Sequence, residues 1–319
     1  MAQRRTRLAP SPTGSLHLGN ARTFVLTWAL ARNEGWEVVL RIEDLDGPRV
    51  RPGAVDEAIA VLSWLGLDWD GPIRRQSDDL APFADAMRRL GDRVFRCERS
   101  RKDVRSAASA PHAEDGEVRF PPSLRPIEAE RRAFDEPLVN YRLLVEPGAD
   151  IVVDELLGTH SFDPGMEIGD FLVWTKAGVP AYQLAVVVDD IAQGITDVVR
   201  GDDLLASAAR QQMLYRAFER PAPRWWHLPL VHDGDGHRLA KRHDDLSLAS
   251  LRAAGVRRER VLGLLARWCG FVRELVELDL DGFRSLVSPA TLRALAAREH
   301  APGGRCSMQE DDRRWLSSI

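Results

Sequence analysis

The stretch SPTGSLHLGN (Ser11–Asn20) decides how the rest of the chain reads. Before it, Arg5 to Ala9 is short and bounded by PSPTG, which predicts a strand ending in a Pro/Gly loop. After it, Leu18, Ala21, Val25 and Trp28 fall on one helical face, with Arg22 and Arg32 off that face. WEVVLRIE (36–43) then predicts a buried strand. The three pieces make a β-loop-α-β unit of the right length for a parallel sheet. His17 and Asn20 open the helix, where exposed N–H groups and an imidazole suit a polyphosphate. Taken alone, a histidine at this place reads first as a helix cap.

At 319 residues the chain has room for two domains, or for one large domain with an insertion. Hydrophobic residues at 44% and charged residues at 29% fit a globular protein with a substantial core. The start, MAQRRTRLAP, carries charge and no apolar leader segment, and no run of eighteen apolar residues occurs. Cys97, Cys269 and Cys306 are few, odd in number and far apart, which argues for a reducing compartment. The expected location is the cytoplasm, with no membrane partner. A net charge of −4 does not advertise nucleic-acid binding, yet a local patch suffices for it. From Arg93 to Arg105 there are six basic residues against two acidic ones, a run that by itself reads as a solvated helix face.

Helices are also predicted over 54–66 and 82–90. From about 96 to 155 the chain is poor in periodic apolar residues and reads as an irregular insertion between two halves of a sheet, with regular structure resuming at LVNYRLLV (138–145). YQLAVVVDD (182–190) is a strongly apolar strand candidate, and 207–218, 249–255 and 259–270 read as helices. The last stretch, RCSMQEDDRRWLSSI, shows no period and reads as a peripheral tail.

A second basic element, HDGDGHRLAKRHDD (232–245), follows a glycine-bearing turn with Arg238, Lys241 and Arg242. A basic loop of this kind can meet charge that builds on phosphates in a transition state. Together with PSPTGSLHLGN it resembles the signature pair of class I aminoacyl-tRNA synthetases: the HIGH motif, here His17-Leu18-Gly19-Asn20, and the KMSKS motif, here Arg238-Leu239-Ala240-Lys241-Arg242. RLAPSPTGSLHLGNAR, LRIEDLD, AYQLAVVVDDIAQGITDVVRGDDLL (181–205) and WWHLPLV (225–231) are similar to the glutamyl-tRNA synthetase branch.

The resemblance implies an α/β fold, a Rossmann-like parallel sheet split by an insertion and followed by a helical stem-contact-like region. The implied units are 1–95 and 156–205 as the two halves of the catalytic domain, 96–155 as the insertion, 206–300 as the helical region with the KMSKS-like loop, and 301–319 as the tail. It implies L-glutamate and ATP, with Mg2+, as substrates. Arg7, Tyr182 and Arg200 match positions that hold the glutamate side-chain carboxylate, and Glu43 with Ala9 and Ser11 the site of the α-amino group. A dicarboxylate suits arginine, whose fork bonds both oxygens. His17, Gly19, Asn20, Arg238 and Lys241 match the ATP site, with His17, Asn20 and Lys241 in the catalytic roles. Arg238 stands where the family usually has Lys, and Ala240 where it has Ser, so slowed activation is expected.

Only residues 243–319 follow the KMSKS-like loop, which leaves no room for a large anticodon-binding region. The chain therefore resembles the truncated glutamyl-queuosine tRNA(Asp) synthetases, in which glutamate passes to the queuosine base in the anticodon loop. Gln183 and Val186 agree, standing where full-length enzymes typically read YHLANVVDD. Arg101 and Lys102 are expected to meet tRNA phosphates, and the chain to act as a monomer. Two other classes stay open: a non-catalytic paralogue that binds glutamate, ATP or RNA, and a glutamyl ligase acting on a small molecule or carrier protein.

Many members carry a zinc site in the insertion. Its positions here are Cys97, Arg99, Phe120 and Leu124, and three of the four cannot bind zinc. Zinc is expected to be absent, with Cys97 the one retained position, His112 the nearest substitute, and Arg99 pairing with a residue such as Glu117.

Overall fold

The computed structural model describes residues 3–99, 119–127, 133–233, 239 and 247–317. Strand β1 (Arg5–Leu8) runs parallel to β2 (Glu37–Ile42) in the register Arg5↔Glu37 to Leu8↔Leu40, and β2 to β3 (Arg74–Arg75). Helix α1 (Leu18–Asn33) makes the crossover, with α2 (Ala54–Trp64) and α3 (Ala81–Leu90) following. The second half contains β6 (Asp150–Asp154), β7 (Gly158–Phe162), β9 (Asp197–Gly201) and β10 (Arg224–Leu228), ordered β7-β6-β10-β9 with β6, β10 and β9 parallel. β1 and β9 lie side by side, joined by the Thr196 N–H to the Arg5 carbonyl (2.9 Å). The two halves thus make one twisted surface whose strand ends share an edge, the usual place for a ligand in such folds.

Between the halves, β4 (Val94–Arg96), β5 (Tyr141–Leu143) and β8 (Leu172–Trp174) form a small antiparallel sheet. Across 155/156 the two regions interlock: β6 joins the parallel sheet by pairing with β10, while β8 pairs with β5. The start of the basic run is not a solvated helix face. Val94 and Phe95 are buried in β4, Arg96 pairs with Glu136 (2.6 Å), and Arg93 donates to the Ala217 carbonyl. Arg101, Lys102, His112 and Glu117 lie outside the described residues.

Three further expectations are corrected. YQLAVVVDD is a helix, α4 (Tyr182–Gln193), closed by Gly194 in the left-handed conformation. Its residues Gln183 to Val187, Asp189 and Asp190 are all buried, because α4 is packed between α3, β8 and α5 (Leu205–Ala217). Tertiary contact overrides the strand preference of its valines. Arg22, off the predicted face of α1, is also buried, because α9 (Pro289–His300) brings Glu299 onto that side as its ion-pair partner.

The C-terminal stretch is not peripheral. Its helix α10 (Glu310–Ser317) follows α6 (Leu248–Ala253), α7 (Arg258–Trp268) and α8 (Leu280–Ser285) in a helical layer against α1. Buried Asp312 accepts from Trp268 Nε1 (2.9 Å) and Arg267 Nη1 (3.1 Å), and Trp315 Nε1 donates to the Arg260 carbonyl (2.9 Å). Long-range polar partners dock this helix together with buried Leu316 and the Trp315 ring. No helix among the described residues is long and apolar enough to cross a membrane.

Candidate active site

A cleft of about 840 Å³ opens at the carboxyl ends of β1, β2 and β9. Ala9, Ser11, His17, Gly19, Asn20, Glu43 and Tyr182, seven of the sequence-predicted site residues, line it together. His17 is the N-cap of α1. Its Nδ1 accepts the Gly19 N–H (3.1 Å), and its own N–H donates to Asn20 Oδ1 (3.1 Å), a reciprocal capping box. The cap reading and the phosphate reading of His17 are therefore compatible. With Nδ1 accepting, a neutral ring carries its proton on Nε2 as a donor at the helix N-terminus, where anions are favoured. Gly19 makes this possible: a Cβ there would stand 3.0 Å from His17 Cε1.

Arg7 and Arg200 are not on the cleft wall but buried beneath it, each 5% exposed. Arg7 Nη1 donates to the Val199 carbonyl (3.3 Å), and its Nε lies 3.6 Å from Asp190 Oδ1 without a hydrogen-bond partner. Arg200 donates through Nε to His227 Nε2 (3.1 Å), through Nη1 to Gln211 Oε1 (2.8 Å) and through Nη2 to the Leu204 carbonyl (3.2 Å). Burial lowers the Arg200 pKa, and of the nearby charges Tyr182 opposes this while Arg7 adds to it. Tyr182 is 40% exposed yet its phenol sits in the same field. Burial and then Glu43 raise its pKa, against Arg200 and Arg7.

Three residues that sequence reasoning passed over complete the floor. Arg41, fully buried, reaches Asp190 (2.6 Å), Gln193 (3.0 Å) and Glu43 (3.1 Å). Burial works against its charge, but Asp190 and Glu43 outweigh burial and raise its pKa. Arg41 thereby holds Glu43, whose other oxygen faces Ser11 Oγ at 3.5 Å. His227 is buried with its Nδ1 2.6 Å from Asp154 Oδ2. The signal for Arg41 was a charge inside an otherwise apolar strand, and for His227 a histidine between buried Trp226 and Leu228. Arg7, Arg41 and Arg200 are matched in number by Glu43, Asp154 and Asp190, but Arg41 and Arg7 share one oxygen of Asp190, and Arg7 Nε is left without a hydrogen-bond partner.

Arg238 and Lys241 lie outside the described residues. Leu239, between them, is described: it is buried, its N–H donates to the Val231 carbonyl (2.8 Å), and it lines the same cleft. In the insertion, Cys97 is buried with Phe95 and Phe120, whose rings lie 5.8 Å apart, and Leu124 packs on them. Arg99 is exposed. No group of three or more His, Cys, Asp or Glu among the described residues could hold a metal ion.

The sequence profile of tRNA synthetases class I (E and Q), catalytic domain, matches residues 3–278. A glutamyl-Q tRNA(Asp) synthetase from Symbiobacterium thermophilum is 45% identical over 83% of this chain and 86% of its own. A glutamate–tRNA ligase 1 from Cereibacter sphaeroides is 37% identical over 82% of this chain but only 56% of its own. The crystal structure of glutamate–tRNA synthetase from Elizabethkingia anophelis shares the fold, with a TM-score of 0.77 at 21% identity, covering 98% of this chain and 70% of that one. On these matches the chain belongs to the class I (E and Q) tRNA synthetase family, within its glutamyl-Q tRNA(Asp) synthetase group.

Proposed function

We propose that this chain activates L-glutamate with ATP to glutamyl-adenylate and transfers the glutamyl group to queuosine in the anticodon of tRNA(Asp). The observation that carries the activation step is the pair of buried guanidinium groups under the cleft, Arg7 with its unpartnered Nε and Arg200, beside the Glu43 carboxylate. The two guanidinium groups and Tyr182 take the side-chain carboxylate of glutamate. Glu43, with Ala9 and Ser11, takes its ammonium group. This leaves the α-carboxylate facing the phosphates.

The α-carboxylate oxygen attacks the α-phosphorus in line, the new P–O bond forms, and the bond to the β-phosphate bridging oxygen breaks to release pyrophosphate. Positioning and charge stabilisation carry such a reaction. His17 Nε2–H, Asn20 and the amide groups at the start of α1, Gly19 among them, steady the phosphates. Arg238 and Lys241 flank Leu239, so a side chain one or two residues from the cleft wall meets the charge on the leaving pyrophosphate. Magnesium arrives with ATP and needs no cage of protein ligands.

The acceptor rests on kinship: the chain is 45% identical to a glutamyl-Q tRNA(Asp) synthetase over 86% of that protein, and 37% identical to a glutamate–tRNA ligase over 56% of it. We read 1–95 and 156–205 as the catalytic halves, 96–155 as the insertion, 206–300 as the stem-contact region and 301–319 as its docked end, acting as a cytoplasmic monomer without structural zinc. Metal analysis of pure protein tests the last point, and stoichiometric zinc would contradict it. The activation step is tested by exchange of labelled pyrophosphate into ATP without tRNA. Exchange that depends on glutamate and not on glutamine or aspartate is expected. No exchange with any amino acid would select a non-catalytic paralogue.

A further inference from the structure

Arg200 carries five N–H groups, and three have fixed acceptors: His227 Nε2, Gln211 Oε1 and the Leu204 carbonyl. One N–H on each outer nitrogen remains, for the Tyr182 hydroxyl and for a ligand. The guanidinium plane could still roll about the Cδ–Nε bond, and the contact at Nε governs that roll most directly. That contact depends on which His227 nitrogen carries the proton. His227 Nδ1 lies 2.6 Å from Asp154 Oδ2, and a carboxylate only accepts, so Nδ1 carries the hydrogen and Nε2 offers its lone pair to Arg200.

Asp154 is itself fixed. It accepts the N–H groups of Leu156 and Leu157 (both 2.9 Å) and of His227 (3.1 Å). On the other side Gln211 Nε2 donates to Gln183 Oε1 (3.0 Å), and Gln183 Nε2 to Ser207 Oγ (3.1 Å). The Trp225 ring lies 4.9 Å from the guanidinium carbon and covers one face. His227 is 0% and Asp154 3% exposed, so neither reaches the cleft directly.

We propose that Asp154 and His227 are positioning residues for the amino-acid substrate, fixing the roll of Arg200 so that its remaining N–H faces the side-chain carboxylate beside the Tyr182 hydroxyl. This rests on the reading of Arg200 as a glutamate ligand. A buried Asp–His pair costs desolvation that an apolar pair of the same volume would avoid. Its use here is orientation: the carboxylate selects the tautomer, the tautomer supplies an acceptor, and the acceptor sets the cation. Gln183, which stands where full-length enzymes of the family typically read His, anchors the opposite side through a group that does not titrate.

The test is glutamate-dependent ATP–pyrophosphate exchange by the full chain, with KM and kcat measured for glutamate, glutamine and ATP. His227→Phe removes the acceptor and is expected to raise the glutamate KM by about 10- to 100-fold, with kcat and the ATP KM within about threefold. Its preference for glutamate over glutamine falls with the KM. His227→Gln restores an acceptor oxygen and recovers most of the affinity. Asp154→Asn allows the other tautomer, sets Nε2–H against Nε–H, and gives the same rise in glutamate KM. Should His227→Phe not fold, Asp154→Asn decides, with thermal melting as the check on folding. A glutamate KM within about twofold of wild type in the folded variants overturns the proposal, as does a parallel rise in both KM values. A wild-type chain without glutamate-dependent exchange overturns the reading of the site as well, which separates the two failures.

Discussion

Two buried regions of this chain solve opposite problems. Beneath the cleft, Arg7, Arg41, Arg200, Asp154, Asp190 and His227 bring ionisable groups into a nearly dry floor, linked by contacts of 2.6–3.6 Å. In the insertion, Cys97, Phe95, Phe120 and Leu124 form a small apolar cluster, with the Arg142 guanidinium 4.5 Å from the Phe120 ring. Buried ions are expensive to desolvate and weak as a source of stability. Their concentration under the cleft is explained by the charged ligand they await. The insertion base needs no ligand, so packing serves it better. Arg125 adds a polar tie there, bonding Asp170 through Nε (2.6 Å) and Nη2 (2.7 Å). Function should therefore respond to changes in the floor, and stability alone to changes in the insertion.

The largest effect is expected at Arg200. Arg200→Ala removes a ligand for the substrate carboxylate and takes the Arg200 donor from buried His227 Nε2 and Gln211 Oε1. It should lower glutamate kcat/KM by about 10³-fold or more, read by pyrophosphate exchange. Phe120→Ala, in contrast, should destabilise the fold by about 3–5 kcal/mol in denaturant titration while glutamate kcat/KM of the folded protein stays within about twofold. A large fall in activity there would erase the distinction between the regions.

Acid stability gives the next effect. Burial, with Arg200 adding to it, pushes the His227 pKa down to about 4, against an unfolded value near 6.5. The unfolded chain binds the extra proton between those values. Stability is then full above about pH 6.5 and falls by about 3 kcal/mol as pH drops toward 4. Denaturant midpoints across that window measure it, and His227→Gln should flatten the slope. The smallest effect is at Gly19. Gly19→Ala crowds the His17 ring at 3.0 Å, and loss of the cap should cost about 1 kcal/mol of stability together with a rise in the ATP KM.

Much of the fold was legible because Gly, Pro and polar residues bound its elements. β1, α1 and β2 fall within one or two residues of expectation, and so do α2, α3, α5 and α7. What failed was physical in origin. α4 carries a run of three valines that reads locally as strand, and packing against α3, β8 and α5 makes it a helix. α10 is docked by Trp268, Arg267 and Arg260, partners far away in the chain. The site divides likewise. Seven of the expected residues gather on one wall, because they sit at strand ends or on the first turn of a helix, which local sequence marks. Arg41, Asp154 and His227 act through other side chains, and no spacing along a single chain discloses such contacts.

The central claim concerns the acceptor. The most direct measurement incubates the chain with ATP, labelled glutamate and tRNA(Asp), one sample bearing queuosine and one with unmodified guanine at the same position. Label on the queuosine-bearing tRNA alone, retained after the 3′-terminal nucleotide is removed, is the predicted result. Label on both tRNAs, or label lost with the 3′ end, would contradict it.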